Sequence, residues 1–294
     1  MRTHTAVAGP RSTGAIPAVW AIGALLMFMA LLAGRPCFGA HGPLGSASHP
    51  SDSSVAWSWR RIPAGQSLPS LFGPRWRDVA RFNRVDRVHT TPGTWIRWPR
   101  DTAQLVNWTP MPARYAPGDT VARLIVIDLA EQFLGAYERG GLVFSMPVAT
   151  GRRGHETPAG RYRIDASDAR HRSSKYMIAR TRIPYPMHHA LRFLPQPGGM
   201  SFWLHGRDMP GFPGSHGCVG LYDEDMQREY YGMPQFPELD DAQRLYTWAL
   251  GDTVARPPGV HWFAGPQVLI VPRLTRTPSL TAPLAEESSD ERSR

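Results

Sequence analysis

Cys218 stands in FPGSHGCVGL, Phe212–Leu221, a setting that suits a nucleophile. A thiol attacks as thiolate, and with an ordinary pKa of about 8.5 it needs a neighbouring base or a depressed pKa. Histidine is the usual base. His216 lies two positions before the cysteine, and His205 ends the strand-like FWLHG. Residues i and i+2 share a face only on extended backbone, which a glycine turn need not keep, so His205 is the better base if its strand lies beside the cysteine loop. Gly214 and Gly217 permit a tight turn and close amide approach, which makes the Gly217 and Cys218 N–H groups candidates for holding an oxyanion. His205, His216 and Cys218 are also zinc-ligand types. Their spacing is uncommon for zinc and a fourth ligand is not evident, so neither a metal nor a cofactor is implied. His155, His188 and His189 lack a supporting constellation and read as surface or packing residues. Asp223, Glu224 and Asp225 read as the first turn of a helix, where carboxylates suit the dipole.

Composition narrows the partners. Lysine plus arginine number 33 against 24 acidic residues, a net charge of +9, with Lys175 the single lysine. Such a surface favours anionic partners: nucleic acid, phospholipid or an acidic wall polymer. Two cysteines make no disulfide framework, and Cys37 lies far away beside an apolar run, so Cys218 reads as a free thiol. The 42% hydrophobic content is ample for one or two packed domains.

The N-terminus sets the compartment. After a basic stretch (1–14, with Arg2 and Arg11) comes AIPAVWAIGALLMFMALLAG, 15–34, twenty residues without charge. That order marks a secretory signal or an uncleaved membrane anchor, and the length favours the anchor. Pro36 precedes Cys37 where a lipidated cysteine follows a small residue. Residues beyond about 40 are therefore expected in the periplasm or otherwise outside the cytoplasm, which sets nucleic acid aside.

Organisation follows composition. Residues 35–56 read as a polar, Gly/Ser/Pro-rich spacer. Residues 57–99 read as a strand, two helices and a strand, with Ser67 capping a helix that carries Leu68, Leu71 and Phe72, and a second helix near Trp76–Phe82. Residues 100–118 read as a connector. Residues 119–272 read as a mostly β domain: a hairpin turning at Gly140–Gly141, short strands at TPAGRYRI, FWLHG and PQVLIVP, one helix after Cys218 and another over Asp240–Leu250. The tail, 273–294, reads as disordered.

Two family resemblances sharpen this. PAGQSLPSLF, VARFN and PGTWIRWP, in that order within 57–99, resemble a LysM module. That resemblance implies a βααβ fold gripping N-acetyl sugars of glycan strands at the turns around Ala64–Ser67 and Asn83–Asp86. HGRDMPGFPGSHGCVGL, with LIVIDLAEQFLGAYERGGLVFSMPVATG and TPAGRYRI upstream, looks like the signature of the YkuD/ErfK-type L,D-transpeptidases. It implies a YkuD-like β-sandwich or barrel with one or two helices. In that family pattern Cys218 is the nucleophile and His205 its base, oriented by the Gly206 carbonyl. Ser215 and His216 shape the loop or touch substrate, and Tyr185 and Met187 line the acyl-donor site. The implied substrate is a peptidoglycan stem peptide. The implied acceptor is a second stem, an envelope protein or, in an L,D-carboxypeptidase, water. A wall-binding scaffold without catalysis is the rival from another class. Two departures stand out. Only nine residues separate His205 from Ser215, and Gly220 stands where many relatives carry an arginine, leaving Arg207 or Arg192 to replace it.

Overall fold

The computed structural model of the chain describes residues 49–196, 200–251, 257 and 259–275. The expected anchor, the first part of the spacer and the tail beyond 275 lie outside the described residues. Among the described residues no helix is long and apolar enough to cross a membrane.

The first unit has the expected element order: β1 (Trp57–Arg61), α1 (Leu68–Phe72), α2 (Trp76–Asn83) and β2 (Trp95–Pro99). β1 and β2 pair antiparallel, Trp57 opposite Pro99 and Arg61 opposite Trp95. Ser67 caps α1, its Oγ accepting from the Ser70 N–H. Leu68, Trp76, Val79, Ala80, Phe82 and Ile96 form the inward face.

The remaining elements are β3 (Arg123–Asp128), β4 (Phe133–Glu138), β5 (Gly141–Pro147), β6 (Gly160–Arg163), β7 (Ala166–Met177), β8 (Pro184–Pro195), β9 (Ser201–Arg207), β10 (Val219–Tyr222), α3 (Glu224–Tyr231), α4 (Asp241–Leu250), β11 (His261–Trp262) and β12 (Gln267–Val271). They form two five-stranded sheets, ordered β5-β4-β3-β12-β6 and β10-β9-β8-β7-β11. The β4–β5 hairpin turns on Arg139 and Gly140, both at positive φ (45° and 77°), the twist a two-residue hairpin requires. Alternate residues meet in the core: Ile125 and Ile127, Leu134 and Ala136, Leu191 and Phe193, Val219 and Leu221, Val268 and Ile270, with Ala242, Leu245 and Ala249 of α4. A mostly β fold with few helices is thus present.

β3 is buried on both faces, because Leu124 and Val126 pack outward against Phe133, Tyr137 and Met111, with Trp108 and Tyr115 beside them. The stretch expected as a connector is therefore a cover over the sheet, and Tyr137 donates to the Pro112 carbonyl at 2.9 Å. The expected spacer also ends in structure. Pro50–Ser54 is a short 3-10 helix with Ser51 and Asp52 buried. Asp52 pairs with Arg84 at 2.9 Å and with Arg97 at 2.9 Å, and Arg84 lies 3.5 Å from Glu131. Burial pushes Arg84 down to about 10, against the pull of Asp52.

The 57–99 unit shares its core with the larger sheets: Ala149, Met209, Tyr222 and Leu239 join Val79, Phe82 and Ile96 in one cluster. Arg87 pairs with Glu224, and Arg81 with Asp241 at 3.0 Å. The turn Asn83–Asp86, assigned to sugar contact by the LysM resemblance, faces this junction instead. Asn83, Arg84, Val85 and Asp86 are each at most 1% exposed, so no glycan reaches them. The reason is valence. Arg84 finds its carboxylates in Asp52 and Glu131, and Asp86 finds its donors in the larger domain.

Candidate active site

β9 and β10 run parallel, with Leu204 opposite Val219 and His205 opposite Gly220. Because Leu204, Val219 and Leu221 point into the core, Trp203 and His205 of β9 and Cys218, just ahead of β10, take the other face. There the half-buried Cys218 packs with Trp203, Met187, Ala190 and Tyr185. The residues expected at the acyl-donor site, Tyr185 and Met187, thus stand in one cluster with the thiol.

His205 is buried, and its Nδ1 lies 2.7 Å from the Gly206 carbonyl oxygen. A carbonyl only accepts, so Nδ1 carries the hydrogen and Nε2 keeps its lone pair. Burial, aided by the Arg207 and His171 charges, lowers His205 to about 3, although the Gly206 carbonyl works the other way. Burial likewise pushes the Cys218 thiol up, opposed by a backbone hydrogen bond at Trp203 and by Arg207. Both shifts favour the uncharged form of the group.

The loop that carries Cys218 is held from several sides. Ser215 Oγ donates to the Cys218 carbonyl at 2.6 Å and accepts the Gly217 N–H at 3.0 Å. Thr150 O accepts from the Gly214 and Ser215 amides, and Thr157 Oγ1 donates to the Gly217 carbonyl at 2.9 Å. Gly217 has φ 114°, and a Cβ there would meet the Phe202 ring at 2.6 Å. Since its N–H is already bound to Ser215, Gly217 is not an oxyanion donor in this arrangement. The Cys218 amide remains the candidate. Ser215 thus ties the loop to itself on both sides of His216.

His216 is exposed, stacked on Tyr176 with centroids 4.5 Å apart, and its Nε2 is 3.0 Å from Arg152 Nη2. It takes no part in the Cys218 cluster, and burial and Arg152 lower its pKa. His188 packs edge-on to Tyr230, and His189 pairs with Asp223 at 2.9 Å. Asp223 caps α3 through the Met226 N–H, as its position suggested. Among the described residues no group of three or more His, Cys, Asp or Glu side chains is arranged to hold a metal.

Arg207 and Asp208 complete the site. Arg207 Nε donates to the Asp208 carbonyl at 2.9 Å, and Asp208 Oδ1 accepts the Tyr185 hydroxyl. Burial alone would depress Arg207, but Tyr185, Asp208 and Cys218 raise it. Arg192, the other substitute for the missing arginine, forms a two-point pair with Asp165 (2.8 and 3.0 Å) and lies over Trp262. Its guanidinium also lies 5.9 Å from the centroid of Trp203, which packs with Cys218. Asp208, Thr157 and Phe202 carry no signal in one sequence, because their roles depend on partners 15 to 60 residues away. A separate cavity of about 470 Å³ near Arg123, Arg163 and Phe263 shares no residue with this cluster.

Comparison with known proteins gives one family match and several distant structural likenesses. No curated protein matches the chain. Solved structures similar to it include an L,D-transpeptidase of Stackebrandtia nassauensis, at 22% identity over 52% of this chain and 57% of that one, TM-score 0.35. Another, from Mycobacterium smegmatis, shows 18% identity over 51% and 59%, TM-score 0.34. An L,D-transpeptidase fragment of Xylanimonas cellulosilytica shows 19% identity over 74% and 98%, TM-score 0.41. The chain thus spans less than two thirds of the length of the first two. Residues 122–255, which hold both Cys218 and His205, match the family model of YkuD, the L,D-transpeptidase catalytic domain.

Proposed function

We propose that this protein is a cysteine-dependent L,D-transpeptidase acting on peptidoglycan outside the cytoplasm. The observation that carries the reading is the shared face of β9 and β10, where Cys218, just ahead of β10, stands beside the strand that carries His205, whose Nδ1 is tied to Gly206. The family match over 122–255 supports the same class.

In this mechanism His205 Nε2 takes the thiol proton as Sγ attacks the carbonyl of the stem's third residue. The Cys218 amide steadies the oxyanion. The tetrahedral adduct collapses to a thioester, the C–N bond to the terminal D-alanine breaks, and that amine leaves with the proton held by His205. An acceptor amine then gives its proton to His205, attacks the thioester and frees the thiol. The acceptor is another stem or a lysine of an envelope protein; water would make the enzyme an L,D-carboxypeptidase. Arg207, beside Cys218, suits the donor's carboxylate. The 15–34 segment would anchor the chain, and the 57–99 unit would retain glycan contact only through its exposed turn Ala64–Ser67.

Mass spectrometry of a tetrapeptide muropeptide incubated with the protein tests this. Loss of D-alanine with a dimer product supports transpeptidation, loss without a dimer indicates hydrolysis, and no reaction removes the proposal. Cys218→Ala should abolish both the reaction and the covalent adduct with a carbapenem.

A further inference from the structure

We propose that the strand–helix–helix–strand unit is a working part of the acyl-transfer site, with His89 as a positioning residue that fixes Tyr185 and Arg207 beside Cys218 through Asp208. The inference rests on Cys218 being the nucleophile, and it goes beyond a tethering or glycan-binding role for the unit.

The link begins at Asp86, which is wholly buried. Its Oδ1 accepts from the His89 backbone N–H at 2.9 Å and lies 2.8 Å from His89 Nδ1. Its Oδ2 accepts from the Met209 N–H at 2.6 Å and from Gln227 Nε2 at 2.7 Å. The Asp86 N–H donates in turn to the Met209 carbonyl at 3.0 Å, and Val85 bridges Pro210. One turn of the first unit therefore grips the segment that starts the loop between His205 and Cys218.

The second ring nitrogen of His89 carries the link onward, with Nε2 3.7 Å from Asp208 Oδ2. Asp208 accepts the Tyr185 hydroxyl on Oδ1 and the Arg207 Nε–H on its carbonyl, and Arg207 Nη2 is 4.0 Å from Oδ1. Tyr185 packs against the Cys218 cluster. Asp86 and Asp208 favour the charged imidazole and Arg207 opposes it; against its burial, the two carboxylates prevail and raise His89. An imidazole set between two carboxylates holds Asp208 in place, and Asp208 holds the Tyr185 hydroxyl and the Arg207 Nε–H. A unit that only tethered the enzyme would not need a buried carboxylate and an imidazole directed at this loop, since buried charge is costly unless paired.

The test is a double-mutant cycle in the full chain: His89→Gln, Tyr185→Phe and both together. Three readouts are taken: carbapenem acylation by mass spectrometry, Cys218 alkylation by iodoacetamide and thermal melting. The expected result is an acylation loss of about tenfold for His89→Gln, a melting temperature close to wild type, and little further loss once Tyr185→Phe is present. Asp208→Asn cuts the same link from the other side, and should reproduce the loss and leave His89→Gln without effect. An unchanged rate, an equal loss in both Tyr185 backgrounds, or a loss that tracks the melting temperature overturns the proposal. If the wild type forms no acyl adduct, the transpeptidase reading fails, whereas iodoacetamide rates still reveal whether His89 and Tyr185 are coupled.

Discussion

A Cβ placed on Gly220 would lie 1.9 Å from Cδ and 2.2 Å from Cγ of Arg207. The absence of a side chain at 220 is thus what lets the Arg207 stem lie over β10 there, and the Arg207 charge favours the Cys218 thiolate. Gly220→Ala should push that stem aside and lower carbapenem acylation at least tenfold, similar to Arg207→Gln, because one charge-assisted contact is worth about 1.5–3 kcal/mol. The double variant should lose little more than either single one. Additive losses in adduct formation would show that the two positions act separately.

Acylation should show no titration near pH 6.5. Burial lowers His205 to about 3 and raises the thiol. Above about pH 3 the base is already unprotonated, so the rate should stay level from pH 5 to 8 and rise only where the thiol ionises. A pH–rate profile of carbapenem adduct formation checks this. A bell centred near neutrality would mean a charged pair in place of the neutral one.

Gly217→Ala should disable the site through the backbone. Its φ of 114° suits glycine alone, and the new methyl would meet Phe202. The strain should cost about 1–3 kcal/mol in urea unfolding, and adduct formation should fall with it. Adding Phe202→Ala should relieve the clash but not the dihedral, recovering only part of the stability.

Asp52→Ala should unfold much of the molecule's stability although it lies outside the matched domain. It leaves Arg84 and Arg97 buried without their shared carboxylate, a change of about 3–5 kcal/mol by chemical denaturation. His49, beside this network, has its Nδ1 2.9 Å from the Ala130 carbonyl oxygen, and burial and Arg84 lower its pKa to about 4. A base whose folded pKa lies below its unfolded value keeps full stability above the unfolded value and loses it as pH falls toward the folded one. Unfolding free energy should therefore decline between about pH 6.5 and 4, and less steeply in His49→Gln.

The legible part of the site was local. Cys218 with flanking glycines, His205 near a strand end and the cap at Ser67 follow from residue type and short spacing, as does the hairpin, although it turns at Arg139–Gly140, one residue ahead of the expected Gly140–Gly141. The parts that escaped were those whose meaning lies in a distant partner. Asp52 in a polar stretch looks like solvated spacer until Arg84 and Arg97 are found around it. Asn83–Asp86 looks like an exposed turn until Met209 and Gln227 meet Asp86.

The order of amino acids alone determined the chemistry on offer, one thiol, one well-placed imidazole and a glycine turn, because nucleophile, base and turn propensity are properties of single residues and their near neighbours. Only the tertiary structure decided that the Arg207 stem lies over Gly220 while Arg192 pairs with Asp165, that Ser215 occupies the Gly217 amide, and that the first unit docks through Asp86 and His89. Those outcomes depend on which buried charges and donors satisfy one another across the fold, and a buried polar group takes whichever partner the packing of the whole chain brings within reach.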